Sequence, residues 1–133
     1  MGLLMCDMKR VLAITGSRAD FGLLAPVLSE CSVQRNLEVE LLVTGSHLSP
    51  EYGLTVSEVR SHGFFIRKEV ELLLSGNSLS ATSKSFGLGV LGATDALLEI
   101  KPDVVLVLGD RFEIFAFVCS AFFLKIPIAH LCG

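Results

Sequence analysis

The sequence predicts an α/β fold built on a doubly wound parallel sheet, and three observations predict it. Five short apolar runs alternate with segments of helical length. Hydrophobic residues make up 51% of the 133 residues and charged residues only 19%, a balance that suits strands buried on both faces. The polar residues with chemical capability follow the ends of the apolar runs, where such sheets bind their ligands.

The elements follow in order. Lys9 to Thr15 (KRVLAIT) is the first strand; a loop containing Gly16 then leads to a helix over about residues 21–31. Leu37 to Thr44 (LEVELLVT) alternates apolar and charged residues before turning wholly apolar, as a strand does on entering a covered sheet. A loop from Gly45 to Gly53 precedes a short helix at about residues 55–61, and Phe64 to Val70 is the third strand. The polar stretch Ser75 to Ser80 places Ser80 as the cap of a long helix ending near Ile100. Asp103 to Leu108 (DVVLVL) is a fully buried strand by composition. Gly109 and Asp110 turn the chain into a helix ending at about Leu124, and Ile128 to Leu131 is the fifth strand. This repeated strand-helix alternation is Rossmann-like. Residues 9–133 form one such domain after an extension at 1–8. An apolar strand directly before Gly133 leads us to expect more protein beyond it.

Composition excludes several function classes. The net charge is −3 and no Lys/Arg stripe is present, whereas a nucleic-acid binder needs one. The four cysteines, Cys6, Cys31, Cys119 and Cys132, form no CxxC pair and no metal-like spacing with His47, His62 or His130. They read as free thiols in a reducing, cytoplasmic compartment. Neither a metal nor a cofactor is expected. Cys6 stands where myristoylation wants Ser or Thr, and Lys9 and Arg10 follow the early apolar residues where a signal peptide needs charge before them. Ile114 to Leu124 is too short to span a bilayer, so no membrane association is expected.

Gly87-Leu-Gly89-Val-Leu-Gly92 matches GxGxxG, but no strand precedes it and it falls within a helical segment. The dinucleotide fingerprint must sit between strand and helix, so these glycines read as close-packing positions. The first loop is more informative. Gly16 permits a tight turn, Arg18 can pair with phosphate beside a helix N-terminus, and Asp20 is placed as the helix N-cap. The plain alternative is that Asp20 only caps and Arg18 only pairs with a surface carboxylate. Gly109-Asp110-Arg111-Phe112-Glu113 is the sharpest feature: a carboxylate at a strand tip is available as a base, and an adjacent arginine can neutralise a diphosphate. There too, a helix cap with a surface ion pair is the alternative. His47 follows the second strand and can reach the same edge. His130 reads as a core histidine with a satisfied hydrogen bond, and His62 as a helix-end residue.

At these residues the chain resembles the hydrolysing UDP-N-acetylglucosamine 2-epimerases. The resemblance is carried by Val11–Gly22 (VLAITGSRADFG), Thr44–Gly53 (TGSHLSPEYG), Lys101–Glu113 (KPDVVLVLGDRFE) and Ile126–Gly133 (IPIAHLCG), in the family's order. It implies that the sheet is the N-terminal half of a glycosyltransferase-B type two-domain fold. It also implies elimination of UDP to a glycal and hydration to N-acetylmannosamine, as in sialic-acid-type sugar biosynthesis. On this reading Asp110 is the catalytic carboxylate near the sugar, while Arg18 and Arg111 stabilise the departing diphosphate. Gly16, Asp20, His47 and Glu113 complete the substrate-binding set, with Asp20 shaping its loop and His47 lining the cleft. The family's catalytic Glu and most of its uridine site are expected beyond Gly133, so the 133 residues alone should show no turnover. Gly22 stands where related enzymes can carry a hydroxyl residue, so no side-chain phosphate contact is expected there.

Other readings stay open: an epimerase acting on UDP-diacetylbacillosamine in legionaminic-type pathways, a glycosyltransferase of the same fold, or a non-catalytic nucleotide-sugar-binding module. The apolar helices lead us to expect a homodimer in the full-length enzyme.

Overall fold

The computed structural model describes residues 7–132, so the expectations for residues 1–6 lie outside the described part. Five strands form one parallel sheet: β1 (Lys9–Thr15), β2 (Leu37–Thr44), β3 (Ile66–Val70), β4 (Val104–Leu108) and β5 (Ile128–Leu131), in spatial order β3-β2-β1-β4-β5. Four helices connect them: α1 (Arg18–Ser32), α2 (Val56–Ser61), α3 (Leu79–Ile100) and α4 (Phe112–Phe123). Two 3-10 turns, Gly45–Leu48 and Pro50–Tyr52, shape the chain after β2.

Alternation along the strands decides the two-sided core. In β1, Leu12 and Ile14 face α3 and α4, while Val11 and Ala13 face α1 and α2. Likewise Leu42, Val105 and Val107 join the first layer and Leu41, Val43 and Leu106 the second. Side chains two apart share a sheet face, and helices on both faces remove every alternate set from water. The chain reverses its direction of winding between β1 and β4, so the loops after those two strands flank the crevice of the switch point.

Three sequence expectations shift. Ser17, not Asp20, is the N-cap of α1: its side chain accepts from the Asp20 N–H. The helix therefore begins three residues earlier than expected, with Asp20 inside its first turn. Ser78 rather than Ser80 caps α3, accepting from the Ala81 N–H at 3.1 Å. β3 begins at Ile66, two residues later than expected.

The GxGxxG glycines lie inside α3. A Cβ at Gly89 would stand 3.0 Å from Ala116 Cβ on α4, and one at Gly92 would stand 2.7 Å from Val70 Cγ1. Two of the three glycines thus allow α3 to lie close against α4 and β3. Cys31, Cys119 and Cys132 are free thiols. No helix among the described residues is long and apolar enough to cross a membrane.

Candidate functional site

The loops after β1, β2 and β4 meet at the carboxyl edge of the sheet. Their junction is made of buried polar contacts. The Asp20 carboxylate, 5% exposed, accepts from the Gly16 N–H at 3.2 Å, from the Ser17 hydroxyl at 2.8 Å and from the Thr15 hydroxyl. Asp20 therefore holds the first loop in place, as expected. The Gly16 N–H is engaged by Asp20, so it is not available to a ligand. Its carbonyl accepts from both the N–H (2.8 Å) and the hydroxyl (2.9 Å) of Ser46, which fastens the second loop to the first.

His47 was expected to line the cleft, but it is 1% exposed and sits beneath the loops. Its Nε2 lies 2.9 Å from Thr15 Oγ1 and its Nδ1 lies 2.8 Å from Thr55 Oγ1. Thr15 has one hydroxyl hydrogen, and Asp20 takes it. Nε2 must then donate to Thr15, and Nδ1 of the neutral ring accepts from Thr55. Burial is the largest influence on the ring and lowers its pKa, and the nearby Asp20 charge opposes that. The misplacement has a local cause: the 3-10 turn at Gly45–Leu48 rolls His47 inward, which strand-end position alone does not reveal.

Arg18 also departs from expectation. Its Nε is 2.9 Å from Glu58 Oε2, and its side chain is 74% exposed. This is the surface ion pair that was the plain alternative to a phosphate contact. Arg111 is ion-paired as well, at the N-cap position of α4, but its partner is a buried carboxylate. The guanidinium donates from Nη2 to Glu113 Oε1 at 2.7 Å and from Nε to Oε2 at 3.2 Å. The hydrogen bond to Glu113 is the main cause that raises its pKa. Asp110 is exposed at the turn before α4. His62 is the C-cap of α2, as expected. His130 has its hydrogen bond, from Nε2 to the Gly109 carbonyl at 2.7 Å, but is exposed rather than in the core.

Beside this junction lies a cavity of about 500 Å³. Arg111, Phe112 and Glu113 form one wall, and Ser46, Ser49 and Tyr52 from the second loop form another. The segment after β3 and the start of α3 close it with Ser75, Asn77, Thr82 and Ser85. Sequence reasoning missed Tyr52, Asn77, Thr82 and Ser85 as candidates. The signal available was the polar stretch around Ser75 to Ser80, which was read only as a helix cap. The cavity is lined by hydroxyls and an amide, with the Glu51 carboxylate and the Arg111 guanidinium also on its walls. It suits a polyhydroxylated ligand, and Arg111 is the point at which an anionic group can be held. Among the described residues, no group of His, Cys, Asp and Glu is arranged to hold a metal.

The family model described as UDP-N-acetylglucosamine 2-epimerase matches residues 29–133. The chain belongs to this family. Its sheet is the α/β, Rossmann-like N-terminal half of a glycosyltransferase-B type fold. Among relatives of this epimerase-family chain, the UDP-N,N'-diacetylbacillosamine 2-epimerase (hydrolyzing) of Legionella pneumophila is 37% identical over 125 residues. That match covers 94% of this chain and 33% of the relative. The UDP-N-acetylglucosamine 2-epimerase of Neisseria meningitidis serogroup B is 38% identical over 114 residues, covering 82% of this chain and 28% of the relative. The crystal structure of UDP-GlcNAc 2-epimerase from Neisseria meningitidis bound to UDP-GlcNAc superposes with a TM-score of 0.76 at 25% identity. It covers 91% of this chain and 31% of that one. The chain thus spans about a third of the length of the proteins it matches.

Proposed function

We propose that this chain is the sugar-facing half of a cytoplasmic hydrolysing UDP-N-acetylglucosamine 2-epimerase. The observation that carries the reading is the placement of Arg111 in a hydroxyl-lined cavity walled by the segments after β2, β3 and β4, with Asp110 on the adjoining turn. In the reaction, UDP leaves C1 with its bonding electron pair while C2 loses its proton, giving a glycal. Water then adds, its hydroxyl at C1 and a proton at C2 on the opposite face, which yields N-acetylmannosamine. Charge grows on the departing diphosphate, where a preorganised guanidinium is most effective. Arg111 fills that role better than Arg18, because Arg111 lines the cavity and Arg18 does not. Asp110 moves a proton at the sugar, and the hydroxyls of the cavity bind the sugar ring. Gly16, Asp20 and His47 hold the loops that carry these groups. The family's catalytic Glu and most of its uridine site are assigned to positions outside these residues.

A second substrate has comparable support: identity is 37% to the Legionella diacetylbacillosamine enzyme and 38% to the Neisseria UDP-N-acetylglucosamine enzyme. One experiment tests both. Full-length protein is incubated with UDP-GlcNAc or with UDP-diacetylbacillosamine, without an acceptor, and products are followed by NMR. The 2-epimer and UDP are expected from one of them. A sugar nucleotide left intact until an acceptor is added would indicate a glycosyltransferase and overturn the reading. Asp110→Asn is expected to lower turnover by about 100-fold or more; unchanged turnover would remove Asp110 from the chemistry.

The free thiols support a reducing compartment. A homodimer is supported by the exposed Leu88, Leu91 and Leu98 on α3 and Phe115 and Phe122 on α4. A monodisperse monomer of full-length protein in light scattering would refute it.

A further inference from the structure

Glu113 is 0% exposed, and a buried carboxylate persists only when paired. Both of its oxygens go to one partner, Arg111. Residues two apart on a helix do not face each other. Here the pair forms because Arg111 is the N-cap of α4, with extended φ −63 and ψ 150, while Glu113 is already helical. The acid also occupies a notch made by two glycines. A Cβ at Gly45 would lie 3.0 Å from Glu113 Cγ and 3.2 Å from its Oε1, and one at Gly16 would lie 3.4 Å from Glu113 Cβ. Glu113 thus stands under the loops after β1 and β2 and grips the loop after β4. A guanidinium has five N–H donors. Glu113 takes one from Nε and one from Nη2, so both Nη1 hydrogens and one on Nη2 remain for the cavity that Arg111 lines.

We propose that Glu113 is a positioning residue: it does not contact the sugar nucleotide, as the sequence reading supposed, but fixes the orientation in which Arg111 meets the diphosphate. This rests on the assignment of Arg111 to the diphosphate. Its sign is diagnostic. Were Glu113 felt by the ligand only as a negative charge, neutralising it would strengthen anion binding. As a positioning residue, its neutralisation weakens binding, because the guanidinium is no longer held.

The test is calorimetric titration of full-length protein with UDP as the probe, on wild type, Arg111→Ala, Glu113→Gln and the double variant. Arg111→Ala is expected to weaken UDP binding about tenfold or more, and Glu113→Gln about tenfold. In the Arg111→Ala background, Glu113→Gln is expected to change affinity by less than about twofold, since its only route of action is gone. Glu113→Asp keeps the charge with a shorter reach. It is expected to show an intermediate loss, and it serves if Glu113→Gln does not fold. Unchanged or tighter binding by Glu113→Gln overturns the proposal, as does an undiminished effect in the double variant. If Arg111→Ala itself leaves UDP binding unchanged, the assignment of Arg111 to the diphosphate is what fails.

Discussion

Gly45 offers a direct test of how the three loops are locked together. Its φ is +59, in the left-handed region, and a Cβ placed there would stand 2.7 Å from the Gly16 carbonyl oxygen. That oxygen is backbone and accepts two hydrogen bonds from Ser46, so it cannot retreat without disturbing them. The left-handed conformation alone costs a non-glycine residue about 1–2 kcal/mol. Weakening the two Ser46 bonds adds about 0.5–1.5 kcal/mol each, so Gly45→Ala should cost about 2–5 kcal/mol in all. Gly53 supplies the control, because its φ is +83 but nothing lies within 4 Å of its Cβ position. Gly53→Ala should therefore cost only the conformational part, about 1–2 kcal/mol. Native-state hydrogen exchange on the core amides of β1 and β2 in full-length protein reads this domain apart from any other. Protection should fall by about 30- to 4,000-fold for Gly45→Ala. If Gly45→Ala costs no more than Gly53→Ala, the loop contact is not what demands glycine there, and the proposed junction is wrong.

The glycines of α3 should separate in the same way. Gly87 has nothing within 4 Å of its Cβ position, so Gly87→Ala should stabilise by about 0.5–1 kcal/mol. Gly89→Ala, two residues on, meets Ala116 and Leu72 and should destabilise by about 1–3 kcal/mol; thermal unfolding of the two variants compares them. For His47, burial lowers the folded pKa below the ordinary 6.5, so the unfolded chain binds its proton first as pH falls. Stability from this group is present above about pH 6.5 and is lost as pH drops toward the folded value. His47→Gln should flatten the pH dependence of unfolding between about pH 7.5 and 5.5, and an unaltered slope would show that His47 is not the titrating group. Arg18→Ala removes an exposed ion pair and should change stability by no more than about 1 kcal/mol, while weakening UDP binding much less than Arg111→Ala does.

Strand positions were legible because their cause is local in composition. Lys9–Thr15 and Leu37–Thr44 are observed with the boundaries read from their apolar runs, since a strand covered on both faces must be apolar on both. Helix starts were less legible, because several hydroxyl or acidic residues compete for one cap. Ser17 prevailed over Asp20, and Ser78 over Ser80. The candidate site was legible as a set of loops but not as a set of orientations. The topology brings the turns after β1, β2 and β4 to one edge, and the alternation of strands and helices implies as much.

By itself, then, the sequence determined the layered α/β fold, the edge that carries the candidate site and the packing role of Gly89 and Gly92. Only the tertiary structure decided that Arg111 lines the cavity, that Arg18 turns to Glu58 and that His47 is buried between two threonines. Hydrophobic periodicity is written into neighbouring residues. The direction of a polar side chain depends instead on partners that lie far along the chain, and these become its neighbours only once the sheet has formed.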